Sequence, residues 1–172
     1  IGNQYWLVGG ACNTGGNILR AFFTNNELQS LTETIEKENM FELNLFGVRD
    51  ADFFKSNAGG DFGLEVNDAV KKCESERETC ANDALFLFKI FSSIAKAEKR
   101  CYENANAMVA SVKLKKVYTS GGGAANVAWC KMRSSCLSSD NPGSTIDVCA
   151  SEYTEASYGT ALLAKQGFRD KR

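Results

Sequence analysis

Between residues 64 and 120 the chain runs for 57 residues without a glycine or a proline, and apolar side chains recur through it at seven-residue steps: Val66, Cys73, Cys80, Leu87, Ile94, Cys101 and Met108. A stripe at that spacing marks one face of a long helix. The pattern therefore predicts a central helix over about 64–108 or longer, with three cysteines on its apolar side. Its surface changes along its length. Residues 65–83 are dense in charge, with Glu74 and Glu78 four apart and Glu76 and Arg77 beside them, as on a solvated helix face. Residues 84–94 are apolar almost all the way round, with Leu85, Phe86, Leu87, Phe88, Ile90 and Phe91 leaving Lys89 to face water. A segment of that kind is covered on several sides by other helices. Charge returns over 96–103, and Lys113, Lys115 and Lys116 suit the carbonyl end of the helix dipole.

A straight helix of this length, at about 1.5 Å per residue, would span roughly 85 Å, whereas a compact domain of this size has a radius of gyration of about 15 to 16 Å. Either the bundle is elongated or the helix breaks, at Asn104-Ala105-Asn106 or around Ser92-Ser93. A register held through Met108 favours the elongated form.

The flanks carry shorter patterns. Thr24, Asn25 and Asn26 are good helix caps, followed by Glu27 and by Leu28, Leu31 and Ile35 at helical spacing, which predicts an amphipathic helix to about Asn39. Phe41, Leu43 and Leu45 alternate with Glu42 and Asn44, and without a convincing partner strand this stretch is expected to be irregular or one more helical turn. Residues 49–63 read as a loop. After the helix stop at Gly121, Gly122 and Gly123, a short helix is expected over 124–136 and a turn at Asn141-Pro142-Gly143. Thr145 then opens a last helix with Ile146, Cys149, Ala150 and Tyr153 on one face, ending in a mobile tail from Lys165 to Arg172. The expected fold is thus all-α, an elongated helical bundle stapled by disulfides around one long helix. It forms a single domain, 1–172, with an N-terminal segment (1–63) of one or two short helices and a loop, the long helix or a broken pair (64–120), and C-terminal short helices (121–172).

Composition narrows the function. At 172 residues and 44% hydrophobic, the chain can bury a core of ordinary size. A net charge of -1 argues against sequence-independent binding of nucleic acid, which needs surplus Lys and Arg to displace counterions. No apolar run approaches the 18 or so residues of a spanning helix.

Seven cysteines exceed the usual content of a cytosolic domain, and with Ile1 at the start they point to a processed signal peptide and an extracellular or luminal, oxidising compartment. The cysteine spacings of 61, 7, 21, 29, 6 and 13, with no histidine in the chain, supply no metal-ligand pattern, so no metal or other cofactor is expected. Two cysteines seven apart on one helix lie about 10.5 Å apart along its axis, beyond disulfide reach. Cys73, Cys80 and Cys101 are therefore expected to bond to Cys12, Cys130, Cys136 or Cys149. The odd cysteine is left for another chain or stays reactive.

Candidate motifs lack their chemistry. Gly10 and Gly15 have the glycine spacing of a phosphate-binding loop, but Gly16 and Asn17 stand where its Lys and Ser or Thr belong. Asp50, Asp52 and Asp61 lie among glycines without the alternating oxygens and closing Glu of a calcium loop. Asp61-Phe62-Gly63 repeats a protein-kinase tripeptide without the lysine strand or catalytic loop that give it meaning. The lack of histidine removes the commonest general base and the partner of Ser and Cys nucleophiles. No catalytic or cofactor-binding residue can be named. The expected function is non-catalytic: protein–protein interaction or assembly by a secreted or luminal helical protein. The alternative is a carrier of a small apolar ligand or pigment, suggested by 11 phenylalanines and the cluster at 85–91.

Overall fold

The computed structural model describes residues 15–40, 66–108, 114–139, 145–153, 158, 160–162 and 164–165. The chain divides into two compact units, Ile1–Leu114 and Lys115–Arg172. Most described residues are helical, in keeping with the helical fold class expected from the sequence. Cys12, the glycine spacing at Gly10, the stretch 41–48, the loop 49–63, the turn at Asn141-Pro142-Gly143 and the tail beyond Lys165 lie outside the described residues.

The described residues of the N-terminal unit include the helices α1 (Gly16–Phe22), α2 (Asn25–Lys37), α3 (Val66–Arg77) and α4 (Asp83–Met108). Helix α2 starts at the caps read from the sequence. The Thr24 hydroxyl accepts the Glu27 N–H, and the Glu27 carboxylate accepts the Thr24 N–H at 2.8 Å, which completes a capping box. Thr24 and Glu27 thereby satisfy backbone donors that a helix start leaves open. Asn39 follows α2 in the left-handed region, at φ 51°, a conformation asparagine tolerates better than most residues.

Between residues 66 and 108 the long glycine-free run is two helices, not one. Residues 78–82 form a turn between α3 and α4, so the interruption falls at neither Ser92-Ser93 nor Asn104-Ala105-Asn106. The cause is local. The Glu76 carbonyl accepts from the Thr79 N–H and hydroxyl and from the Cys80 thiol, closing α3, while the Asn82 side chain accepts the Leu85 N–H at 2.8 Å and opens α4. With the axis broken there, the seven-residue stripe is no continuous face: Cys73 and Leu87 are fully buried, whereas Cys80, Ile94 and Cys101 are half-buried.

Along α4 the deepest positions follow the true helical period. Ala84, Leu87, Phe88, Phe91 and Ala95 line one face, and Phe86, Ile90, Ser92 and Ser93 bury the others. This segment is covered on several sides, as its apolar circumference required. Helix α2 packs against α4, and α1 against α3. Ile18, Phe23, Ile35, Ala69 and Cys73 complete the described core.

The C-terminal unit keeps the expected short helix, at Val127–Ser138, but departs from the expectation on either side of it. Strand β1 (Lys116–Thr119) and strand β2 (Asp147–Ala150) pair in parallel, Lys116 opposite Asp147, Val117 opposite Val148, Tyr118 opposite Cys149 and Thr119 opposite Ala150. A 3-10 turn (Gly122–Ala125) and helix α5 (Val127–Ser138) form part of the crossover that a parallel pair requires. Lys115 and Lys116 thus do not end a helix, and Ile146, Cys149 and Ala150 do not share a helical face. Val117, Tyr118, Thr119, Ile146 and Val148 are residues that favour extended backbone. Gly121 sits at φ 80°, where a residue with a side chain would be strained, and turns the chain from β1 into the 3-10 segment.

Candidate functional site

Sequence reasoning singled out the cysteines and the apolar cluster at 85–91. The cluster is core. Cys73 is part of the same packing: it is fully buried on α3, and burial, followed by the nearby charges of Glu76 and Glu74, pushes its thiol up to about 12. A thiol held protonated in that way is a poor nucleophile at neutral pH. The Cys80 and Cys101 thiols donate to the carbonyls of Glu76, at 3.3 Å, and Ala97, at 3.2 Å, each four residues back. The Cys130 thiol points at the 3-10 turn, 3.8 Å from the Ala124 carbonyl oxygen.

Among the described residues no disulfide joins any of the six cysteines, all of which are thiols, so the expected staples are not seen. Within the C-terminal unit the geometry explains this. Cys130 and Cys136 are six residues apart on one helix, about 9 Å along its axis. Cys149, in register with Tyr118, occupies the sheet face turned away from that helix.

Several polar contacts cross-link the corner between α3 and α4. Arg77 donates from Nε and Nη2 to one oxygen of Asp83, at 3.1 and 2.9 Å. Its guanidinium also lies 5.5 Å from the centre of the Phe86 ring and 5.9 Å from that of Phe23. Phe22 meets the same Phe86 ring edge-on at 5.2 Å, and Lys89 reaches Glu76 at 3.6 Å. Glu27, at the head of α2, has its carboxyl held low first by the backbone and side-chain hydrogen bonds of Thr24 and then, more weakly, by Arg77. One arginine therefore links the α1–α2 junction to both sides of the helix break. The sequence pattern placed Arg77 on a solvated face, and the side chain is exposed there; its contacts across the corner were not part of that pattern. The usable signal was Asn82-Asp83, a cap pair standing just before the apolar run.

In the C-terminal unit the alternation of the strands separates two faces. Val117 is buried and pairs with the half-buried Val148, on the side where α5 packs on β2. Lys116, Tyr118, Asp147 and Cys149 share the other side. The Lys116 ammonium lies 5.1 Å from the centre of the Tyr118 ring, and its pKa is raised first by the negative form of Cys149, then by that of Tyr118, with Asp147 contributing least. Tyr118 is 69% exposed. Further along, Tyr153 and Tyr158 stack at 3.8 Å and are themselves exposed.

This outer sheet face joins an exposed aromatic ring to two opposite charges and a thiol. No local pattern in the sequence marks it, because it exists only once β1 and β2 are in register. Among the described residues no group of three or more Cys, Asp or Glu side chains is placed to hold a metal ion, and no helix is long and apolar enough to cross a membrane. No family model matches the chain, and no solved structure matches it.

Proposed function

We propose that the protein is a non-catalytic helical protein of an extracellular or luminal compartment that acts by binding a protein partner or by assembling with copies of itself. The observation that carries this reading is the contrast in how side chains are used. In the N-terminal unit the residues that could carry chemistry are committed to structure, Arg77 to the helix corner and Cys73 to the core. In the C-terminal unit Tyr118, Lys116, Asp147 and Cys149 are presented together on a sheet face. Aromatic side chains with a polar handle, flanked by charge, are the kind that anchor protein contacts. Seven cysteines support the oxidising compartment.

A second reading, an apolar ligand or pigment held in the helical unit, is favoured by Ser92. Its hydroxyl is buried on α4 within the Phe88 and Phe91 turn and has no hydrogen-bond partner among the described residues. A buried hydroxyl left unmatched costs about 1 to 3 kcal/mol, which a ligand acceptor would recover.

Native mass spectrometry of the protein purified from its source separates the two. The expected result is a mass free of any small-molecule increment, with a bound protein partner or, as protein concentration is raised, a growing share of two-chain species. A monomer carrying a constant small increment would replace the first reading with the second. Intact mass under denaturing conditions, before and after reduction, tests the disulfides expected of that compartment.

A further inference from the structure

We infer that the outer face of the C-terminal sheet docks against the same face of a second copy of this chain, with Lys116 of each copy over Asp147 of the other. This rests on the assembly reading above and names the surface that would serve it. Parallel strands are ordinarily covered on both faces, since the crossover that joins them covers one and another layer the other. Here α5 packs on one side, where Val117 is buried, while the opposite side leaves Tyr118 69% exposed.

The pattern on that side is self-complementary. Lys116 and Asp147 are directly opposite in the register, as are Tyr118 and Cys149. A twofold axis running parallel to the strands, between the two sheets and midway between β1 and β2, lays each β1 over the partner's β2. Positive charge then meets negative twice, and the largest side chain of the face meets the smallest twice. A partner of one uniform charge would be opposed by either Lys116 or Asp147, so the second copy is the occupant the face fits. Four side chains per copy fall short of the roughly 800 Å² per partner of stable complexes, so the association is weak and depends on concentration.

Charge reversal tests the pairing. Lys116→Asp and Asp147→Lys, both at exposed positions, should each put like charges opposite one another twice per dimer and weaken self-association about tenfold in sedimentation equilibrium. Mixing the two variants should restore it, because every contact between one variant and the other is again of opposite sign. Recovery on mixing also shows that both variants are folded. Single variants that self-associate like the parent chain, or a mixture that fails to associate, would overturn this face while leaving assembly through another surface open. A parent chain still monomeric at about 1 mM, the weak end of specific association, would overturn both the face and self-assembly itself.

Discussion

The two units of this chain are held by different forces. In the N-terminal unit the described structure is organised around Phe86, Phe88, Leu87 and Ile90, which lie fully buried on one helix, with Phe22 and Phe23 brought against Phe86 from the α1 side. In the C-terminal unit two serines hold helix to strand. The Ser134 hydroxyl donates to the Ile146 carbonyl at 2.6 Å, and the Ser138 hydroxyl accepts the Ile146 N–H at 2.9 Å while donating to the Ser134 carbonyl at 2.7 Å. Ile146 is itself buried, so these bonds satisfy backbone groups that water does not reach well. The first arrangement is non-directional and tolerates small shifts. The second depends on atoms placed to a few tenths of an ångström.

The largest expected effect follows from the first unit. Phe86→Ala removes the ring shared by Phe22, Phe23 and Arg77, and should cost about 3 to 5 kcal/mol, as large-to-small changes in closed cores do. Made in a Trp6→Phe background, so that Trp129 is the one tryptophan and reports the C-terminal unit, the variant should keep its fluorescence transition in denaturant while the helical signal at 222 nm is lost early. A coincident loss of both signals would show that the units do not differ in the way described.

Ser138→Ala is the counterpart in the second unit. It leaves the Ile146 N–H without its acceptor, which should cost about 1 to 3 kcal/mol and loosen β2 without touching α4. Calorimetry on the variant checks the size. Arg77→Ala should cost a comparable amount, about 1 to 3 kcal/mol, since an exposed ion pair is worth about 0.2 to 1 kcal/mol and each of the two ring contacts about 0.5 to 1 kcal/mol. Arg77→Lys should recover only part of this loss, because an ammonium keeps the charge but not the flat guanidinium that covers the rings. Full recovery would mean that charge alone holds the corner.

The same contrast explains what could be read from the sequence. The caps at Thr24, the amphipathic repeat at Leu28, Leu31 and Ile35, and the all-round burial of residues 84–94 were legible because they are local patterns at helical period. The break at 78–82 was not, since Cys80 and Leu87 happen to continue a seven-residue stripe across it, and the cap at Asn82 weighs little against so long a run. The strand pair was hidden for a different reason: Val117 and Val148 find each other across residues 118–147, and no window of either segment contains its partner. The outer face with Lys116 and Asp147 inherits that limit. Helix α5 keeps a face at helical spacing, with Cys130, Arg133 and Leu137 buried beside Ser134, but the serine bonds to Ile146 that tie it to the strand are not visible in that pattern.

The smallest effect at neutral pH concerns Cys73. Its folded-state pKa is raised, so the unfolded chain loses the proton first as pH rises. The contribution is intact below about 9 and is lost between about 9 and about 12. Cys73→Ala should therefore flatten the fall of stability over that range and change little below it. At pH 8, alkylation of the native protein should reach the half-buried Cys80 and Cys149 well before Cys73.

Residue-resolved hydrogen exchange of the parent chain and of Ser138→Ala tests the division of forces most directly. The amides of Phe86 to Ser93 should be the slowest in the chain and unchanged by the substitution, while those of Val117 to Thr119 and Asp147 to Ala150 lose protection by the same factor as one another. An equal loss of protection in α4 and in the strands would contradict the account, because it would mean that one cooperative structure, and not two separately held units, carries the stability of the chain.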